Sequence, residues 1–215
     1  MKKVVLLTFL FLFSYSFLTA QKKECGTMEY LEYLKTKDPQ LANKMLQNEQ
    51  VLQNWIKNNP TAKNKKRTII SIPIVVHVVY ANATQNISTA QILSAIANLN
   101  KDYRRLNADA AATPAVFAAV AADCEIEFCL ASLDSNGNAT TGITRTPTTT
   151  ESFDPGTSNG SYFSNDYIKY TALGGQNGWN SANYLNIWIC DLAETLNGYS
   201  TFPGAPANLD GVVVD

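Results

Sequence analysis

The sequence predicts an α/β fold: a mixed, mostly parallel twisted sheet with a crossover helix, preceded by a helical segment of different character. Three observations carry this. Residues 69–80 are apolar at almost every position, as in a strand covered on both faces. Ser88-Thr89-Ala90-Gln91 then forms a capping box, opening a helix whose one face is Ile92, Ile96, Leu99 and Tyr103. Residues 125–130 alternate Ile126, Phe128 and Leu130 with Glu125, Glu127 and Cys129. The order strand, helix, strand is the signature of a right-handed crossover between parallel strands.

The first twenty residues stand apart from this fold. Lys2 and Lys3 precede an apolar run over residues 4–13, broken only by Thr8, and residues 14–20 mix in small and polar side chains. That is the layout of a secretory signal, with Ala20 expected as the last residue removed. The apolar core is short of the roughly 20 residues a spanning helix needs, so no membrane attachment is expected after its removal. Loss of the two lysines takes the net charge from −1 to −3.

Residues 24–59 read as helical, with Asp38-Pro39 as a helix opening and Leu41, Met45, Leu52, Trp55 and Ile56 as one apolar stripe. A basic linker follows, Lys63-Asn64-Lys65-Lys66-Arg67, an exposed-looking stretch suited to trypsin-like nicking. It marks a boundary, giving a leader over 1–20, a helical segment with its linker over 21–67, and a sheet domain over 68–215.

Within the sheet domain a short helix is expected after Thr113-Pro114. Residues 134–183 form a long insertion rich in Thr, Ser, Asn and Gly. Asp134-Ser135-Asn136-Gly137-Asn138 begins like a calcium loop, but Ala139 and Arg145 occupy the positions needing Gly and Glu, so a plain turn is the reading. Residues 184–191 form a strand with Leu185, Ile187 and Ile189 on one face, and residues 198–202 a shorter one. The apolar strand 211–215 stops without a cap or polar tail, so the fold is expected to be incomplete at its C-terminus, a truncated product or fragment.

With 46% hydrophobic and 16% charged residues, the 215-residue chain has the composition of one soluble domain. Its charge is near neutral and its basic residues are not interleaved with aromatics, which excludes nucleic acid as a partner. Four cysteines in an exported chain allow three disulfide pairings, and their spacing selects none.

Six segments together bear a resemblance. Residues 72–80 (IPIVVHVVY), 127–131 (EFCLA), 141–145 (TGITR), 184–192 (YLNIWICDL), 198–203 (GYSTFP) and 210–215 (DGVVVD) resemble, in order, the pappalysin-type (cytophagalysin-like) metzincin peptidases. The resemblance implies a metzincin-like N-terminal subdomain and a secreted zinc metalloendopeptidase zymogen acting on proteins or peptides. Such enzymes hold zinc on a helix bearing H-E-x-x-H-x-x-G-x-x-H, whose Glu is the general base. This sequence has one histidine, His77, and no such motif. No catalytic residue, metal ligand or bound zinc is therefore expected in the chain, and it is expected to be inactive as it stands. His77, on a structural strand, is read as structural.

Two further features follow from the resemblance. Cys25-Gly26-Thr27 resembles the segment carrying a cysteine switch, with Lys65, Lys66 and Arg67 as the activation cleavage region; a disulfide or idle role for Cys25 is the alternative. Residues Ser200, Thr201 and Phe202 would lie on the edge strand that pairs with extended substrate. The family's strand order places residues 72–80 between the strands of Cys129 and Cys190, too far apart for a disulfide. The competing functions are a secreted non-enzymatic protein that inhibits a related protease through the leading segment, and a remnant without function.

Overall fold

The computed structural model describes residues 24–60, 68–156, 163–193 and 196–215. The expected leader and the linker residues Lys65, Lys66 and Arg67 fall outside them. No helix among the described residues is long and apolar enough to cross a membrane.

The described residues open with a short strand, β1 (Glu24–Cys25), then two helices, α1 (Thr27–Lys37) and α2 (Leu41–Asn58). The sheet domain follows as β2 (Ile70–Tyr80), α3 (Thr89–Tyr103), the single-turn α4 (Ala115–Ala118), β3 (Ile126–Leu130), β4 (Ile143–Pro147), β5 (Leu185–Ile189), β6 (Leu196–Ser200) and β7 (Val212–Val214). The seven strands run in the order β1-β6-β7-β5-β2-β3, with β4 also on β2, and only the β6–β7 pair is antiparallel. The expected mixed, mostly parallel sheet is present.

The long strand β2 organises it. One edge of β2 pairs with β5, while the other pairs first with β3, from Ile70 to Ile74, and then with β4, from Val76 to Tyr80. The handover depends on Gly142. It sits at φ +71°, where a Cβ would come within 2.7 Å of the Ala131 nitrogen. The ladder then continues without a gap: Ala131 N donates to Ile74 O at 2.8 Å and Val76 N to Gly142 O at 2.9 Å. Pro73 is tolerated in this central strand because even-numbered residues bond toward β3 and β4. Its missing donor faces the other edge, ahead of the first residue paired with β5.

From Ile74 to Val79 every residue of β2 is buried, as the unbroken apolar run requires. Even positions join Leu185, Ile187 and Ile189 beneath α3, which contributes Ile92, Ile96 and Leu99. The capping box is formed: Ser88 Oγ accepts from Gln91 N, and Gln91 Oε1 from Ser88 N. Tyr103 meets Phe128 edge-on at 4.9 Å. On the opposite face Val79, Trp188 and Val213 pack with Tyr30, Leu31 and Leu34 of α1 and with Leu41 of α2. The leading segment thus shares a core with the sheet.

Several sequence expectations need correction. The helical stretch 24–59 is two helices behind a strand, because Asp38-Pro39 breaks it. Asp38 closes α1 rather than opening α2, although its Oδ1 still accepts from Gln40 N and its Oδ2 pairs with Lys44 at 2.7 Å. The stripe on α2 is buried only at its start: Leu52, Trp55 and Ile56 are 50–55% exposed. The insertion 134–183 is no simple loop, for it contains β4 and supplies Phe153, Phe163 and Ile168 to the core. The turn at Asp134 is as expected, with its Oδ1 accepting from Asn136 N and Asn138 N. The strand expected at 198–202 ends at Ser200, leaving Thr201 and Phe202 outside it.

Candidate functional site

The site forms where the chain's leading residues meet its closing strands. Beside β7, β6 would be the last strand of the sheet, but β1 lies along it, Glu24 opposite Leu196 and Cys25 opposite Gly198. Gly26 N donates to Gly198 O at 2.9 Å. Thr27 Oγ1 accepts from Ser200 N at 3.1 Å, so a side chain continues what the short strand begins. Gly198 is required here, since a Cβ would sit 2.4 Å from Val213 O on the neighbouring strand.

Of the predicted residues, Cys25 and Ser200 are brought together across this pairing. The Cys25 thiol is free and exposed, with Sγ 3.3 Å from Thr27 Oγ1. It borders a groove with Gly198, Ser200 and Val214. Thr201 is turned away from the edge: its N donates to Gly211 O and its Oγ1 to Asp210 Oδ1 at 2.7 Å. Phe202 packs half-buried against the core. Cys124, Cys129 and Cys190 are free as well, and β2 lies between the strands of Cys129 and Cys190.

His77 is fully buried. Asn186 fixes its tautomer: the amide nitrogen donates to Trp179 O, and the amide oxygen accepts from Trp179 N at 2.7 Å and from His77 Nε2 at 3.0 Å. His77 Nδ1 therefore accepts from Thr144 Oγ1 at 2.8 Å. Burial pulls its pKa down to about 4, the bond to Asn186 opposing this in part. A neutral imidazole with both nitrogens engaged has none free for a metal. Among the described residues no three His, Cys, Asp or Glu side chains converge to hold one. The described residues do not fit a zinc site.

A second buried cluster escaped the sequence reading. Asp166 accepts from the Tyr30 hydroxyl through Oδ2 and from the Tyr199 hydroxyl through Oδ1, the latter at 2.6 Å. Lys169 Nζ lies 3.3 Å from Asp166 Oδ2 and donates to Tyr30 Oη at 3.0 Å and to Leu209 O at 2.7 Å. Burial lowers the Lys169 pKa, while burial and then Asp166 raise those of Tyr30 and Tyr199. Only the i, i+3 spacing of Asp166 and Lys169 hinted at this, inside a segment that read as loop.

Neither a family model nor a curated protein matches the chain. Solved structures do. Promirolysin of Tannerella forsythia, as a mutant, is 44% identical with a TM-score of 0.69, over 89% of this chain and 59% of its own. Mature mirolysin of the same organism, in complex with a cleaved peptide, is 52% identical with a TM-score of 0.61, over 70% of this chain and 53% of its own. Mirolysin bound to a small compound is 50% identical with a TM-score of 0.60, over 69% and 53%. Mirolysin is a metzincin-type metallopeptidase. The fold of this chain is metzincin-like. The chain spans little more than half the length of the structures it matches.

Proposed function

We propose that the chain is the leading part of a secreted zinc metalloendopeptidase zymogen of the pappalysin type, residues 21–67 being its prosegment and residues 68–215 the N-terminal part of its catalytic unit. One observation carries this reading: β1 occupies the strand that such an enzyme would offer to an extended peptide. A sheet edge presents free N–H and C=O groups, and whatever pairs with them first excludes other peptides. The likeness to promirolysin supports the zymogen reading, because it covers more of this chain than the likeness to mature mirolysin does. Cys25 is the switch residue, its thiol capping the catalytic metal of the complete enzyme. Ser200 belongs to the substrate-binding strand, with Thr201 and Phe202 shaping its end. Lys65, Lys66 and Arg67 are the activation cleavage region. In this reading the zinc ligands and general base belong to the complete enzyme, these 215 residues holding a single histidine.

The secreted protein carrying these residues should digest casein only after trypsin nicks it between residues 60 and 68, and a chelator should stop the digestion. With Cys25→Ala, digestion should begin before nicking. The 215 residues alone should hold no stoichiometric zinc and digest nothing. No hydrolysis after nicking, hydrolysis indifferent to chelator, or one tight zinc per 215-residue chain would each overturn the reading.

A further inference from the structure

Among the described residues of the leading segment, the Tyr30 side chain hydrogen-bonds to a buried charged pair. Its ring is fully buried, 5.0 Å from that of Phe163 and 4.7 Å from that of Tyr199. Its hydroxyl donates to Asp166 and accepts from Lys169 Nζ. Asp166 and Lys169 are themselves almost entirely buried and come from an irregular turn of the sheet domain, not from the leading segment. Their hydrogen bonds are complete only with the phenol in place: Lys169 directs its protons to Asp166, Leu209 O and Tyr30, and Asp166 draws on Lys169 and both tyrosines. An apolar side chain of the same shape would leave a carboxylate and an ammonium short of a partner away from water, which is costly. The surrounding rings fit the ring, and the two charged groups read its hydroxyl.

We infer that Phe163, Asp166, Lys169 and Tyr199 form a binding site for a phenol, and that its ligand is the Tyr30 side chain, which docks the leading segment onto the sheet domain. The inference rests on the reading of residues 24–58 as a prosegment and adds to it the anchor that holds the prosegment down. The anchor is separate from the thiol. Cys25 sits on the exposed margin of β6, whereas Tyr30 enters the core beneath the same strand beside Tyr199. Among the described residues β1 pairs two positions with β6, and the helix behind it helps to hold the register of its thiol. Once the prosegment departs, the site is left with its charged groups unmatched and retains affinity for a tyrosyl side chain.

Two measurements on the full 215-residue chain test this. In Tyr30→Phe, hydrogen exchange of α1 amides should accelerate at least about tenfold while β2 and β5 amides hold their wild-type rates, as for a segment that opens by itself. Unchanged α1 rates would overturn the proposal, and so would β2 and β5 accelerating in step with α1, since Tyr30 would then be an ordinary core residue. The second uses p-cresol, the tyrosyl side chain as a free molecule. In Tyr30→Ala it should raise the melting temperature by about 3 °C or more at millimolar concentration and leave the wild type unmoved, with toluene giving less than about 1 °C. If Tyr30→Ala does not fold alone, p-cresol should restore the folded signal. Toluene matching p-cresol, or neither acting, would show that the cavity reads shape only or nothing. Failure here leaves the Cys25→Ala casein test untouched, and failure there leaves the phenol site standing.

Discussion

The two faces of the sheet are built from different materials. Beneath α3 lie Ile74, Val76, Val78 and Phe128, which pack with Ile92 of the helix, all of them apolar side chains, and Asn100 of α3 bonds the Phe128 backbone at its margin. The opposite face carries the buried polar and charged residues His77, Asn186, Asp166 and Lys169 alongside Trp188 and Tyr199. A helix with one periodic stripe can cover the first face. The second is covered by α1 and by irregular turns, whose polar groups enter the core and need specific partners. The buried side chains of the first face are held by apolar contact, while those of the second add buried polar groups that need hydrogen-bond partners.

That contrast can be broken by experiment. Asp166→Ala leaves Lys169 buried with two neutral oxygens, and urea unfolding should show a loss of roughly 3–5 kcal/mol. A loss below about 1 kcal/mol would put both faces on the same footing. Acid comes next. His77 has a folded pKa of about 4 against an ordinary 6.5, so between those values the unfolded chain binds a proton that the folded one refuses. Stability therefore falls as pH drops from 6.5 to 4, by about 3 kcal/mol in all. His77→Gln should flatten that slope in urea midpoints taken across the range. On the regular face Ser88→Ala removes the acceptor for Gln91 N and should cost about 1 kcal/mol, independent of pH over the same range. Smallest is Leu52→Ser on the uncovered side of α2, expected within about 0.5 kcal/mol of wild type.

Legibility divides along the same line. The face under α3 could be read directly, because Ile92, Ile96 and Leu99 repeat at helical spacing and Leu185, Ile187 and Ile189 at strand spacing, and both patterns report burial. The resemblance placed residues 72–80 between the strands of Cys129 and Cys190, and the structure has β2 between β3 and β5. Phe163, Asp166 and Lys169 could not be read, since they sit among Ser, Asn and Gly and acquire their meaning only from Tyr30 and Tyr199, far off in sequence. β4 was likewise hidden: Ile143-Thr144-Arg145-Thr146-Pro147 has little apolar character and is a strand because the second half of β2 offers it an edge. The stripe on α2 failed in the other direction. Its periodicity is genuine, but Leu52, Trp55 and Ile56 meet nothing among the described residues that buries them.

The seating of β1 has a consequence for how the molecule comes into being. Thr27 and Ser200, which meet beside that strand, are 173 positions apart. Contacts of such separation carry a large closure entropy and form late. On a ribosome the strand bearing Cys25 emerges well before β6 and β7, and its berth does not exist until they have followed. A piece made before its partners is thus among the last to be placed.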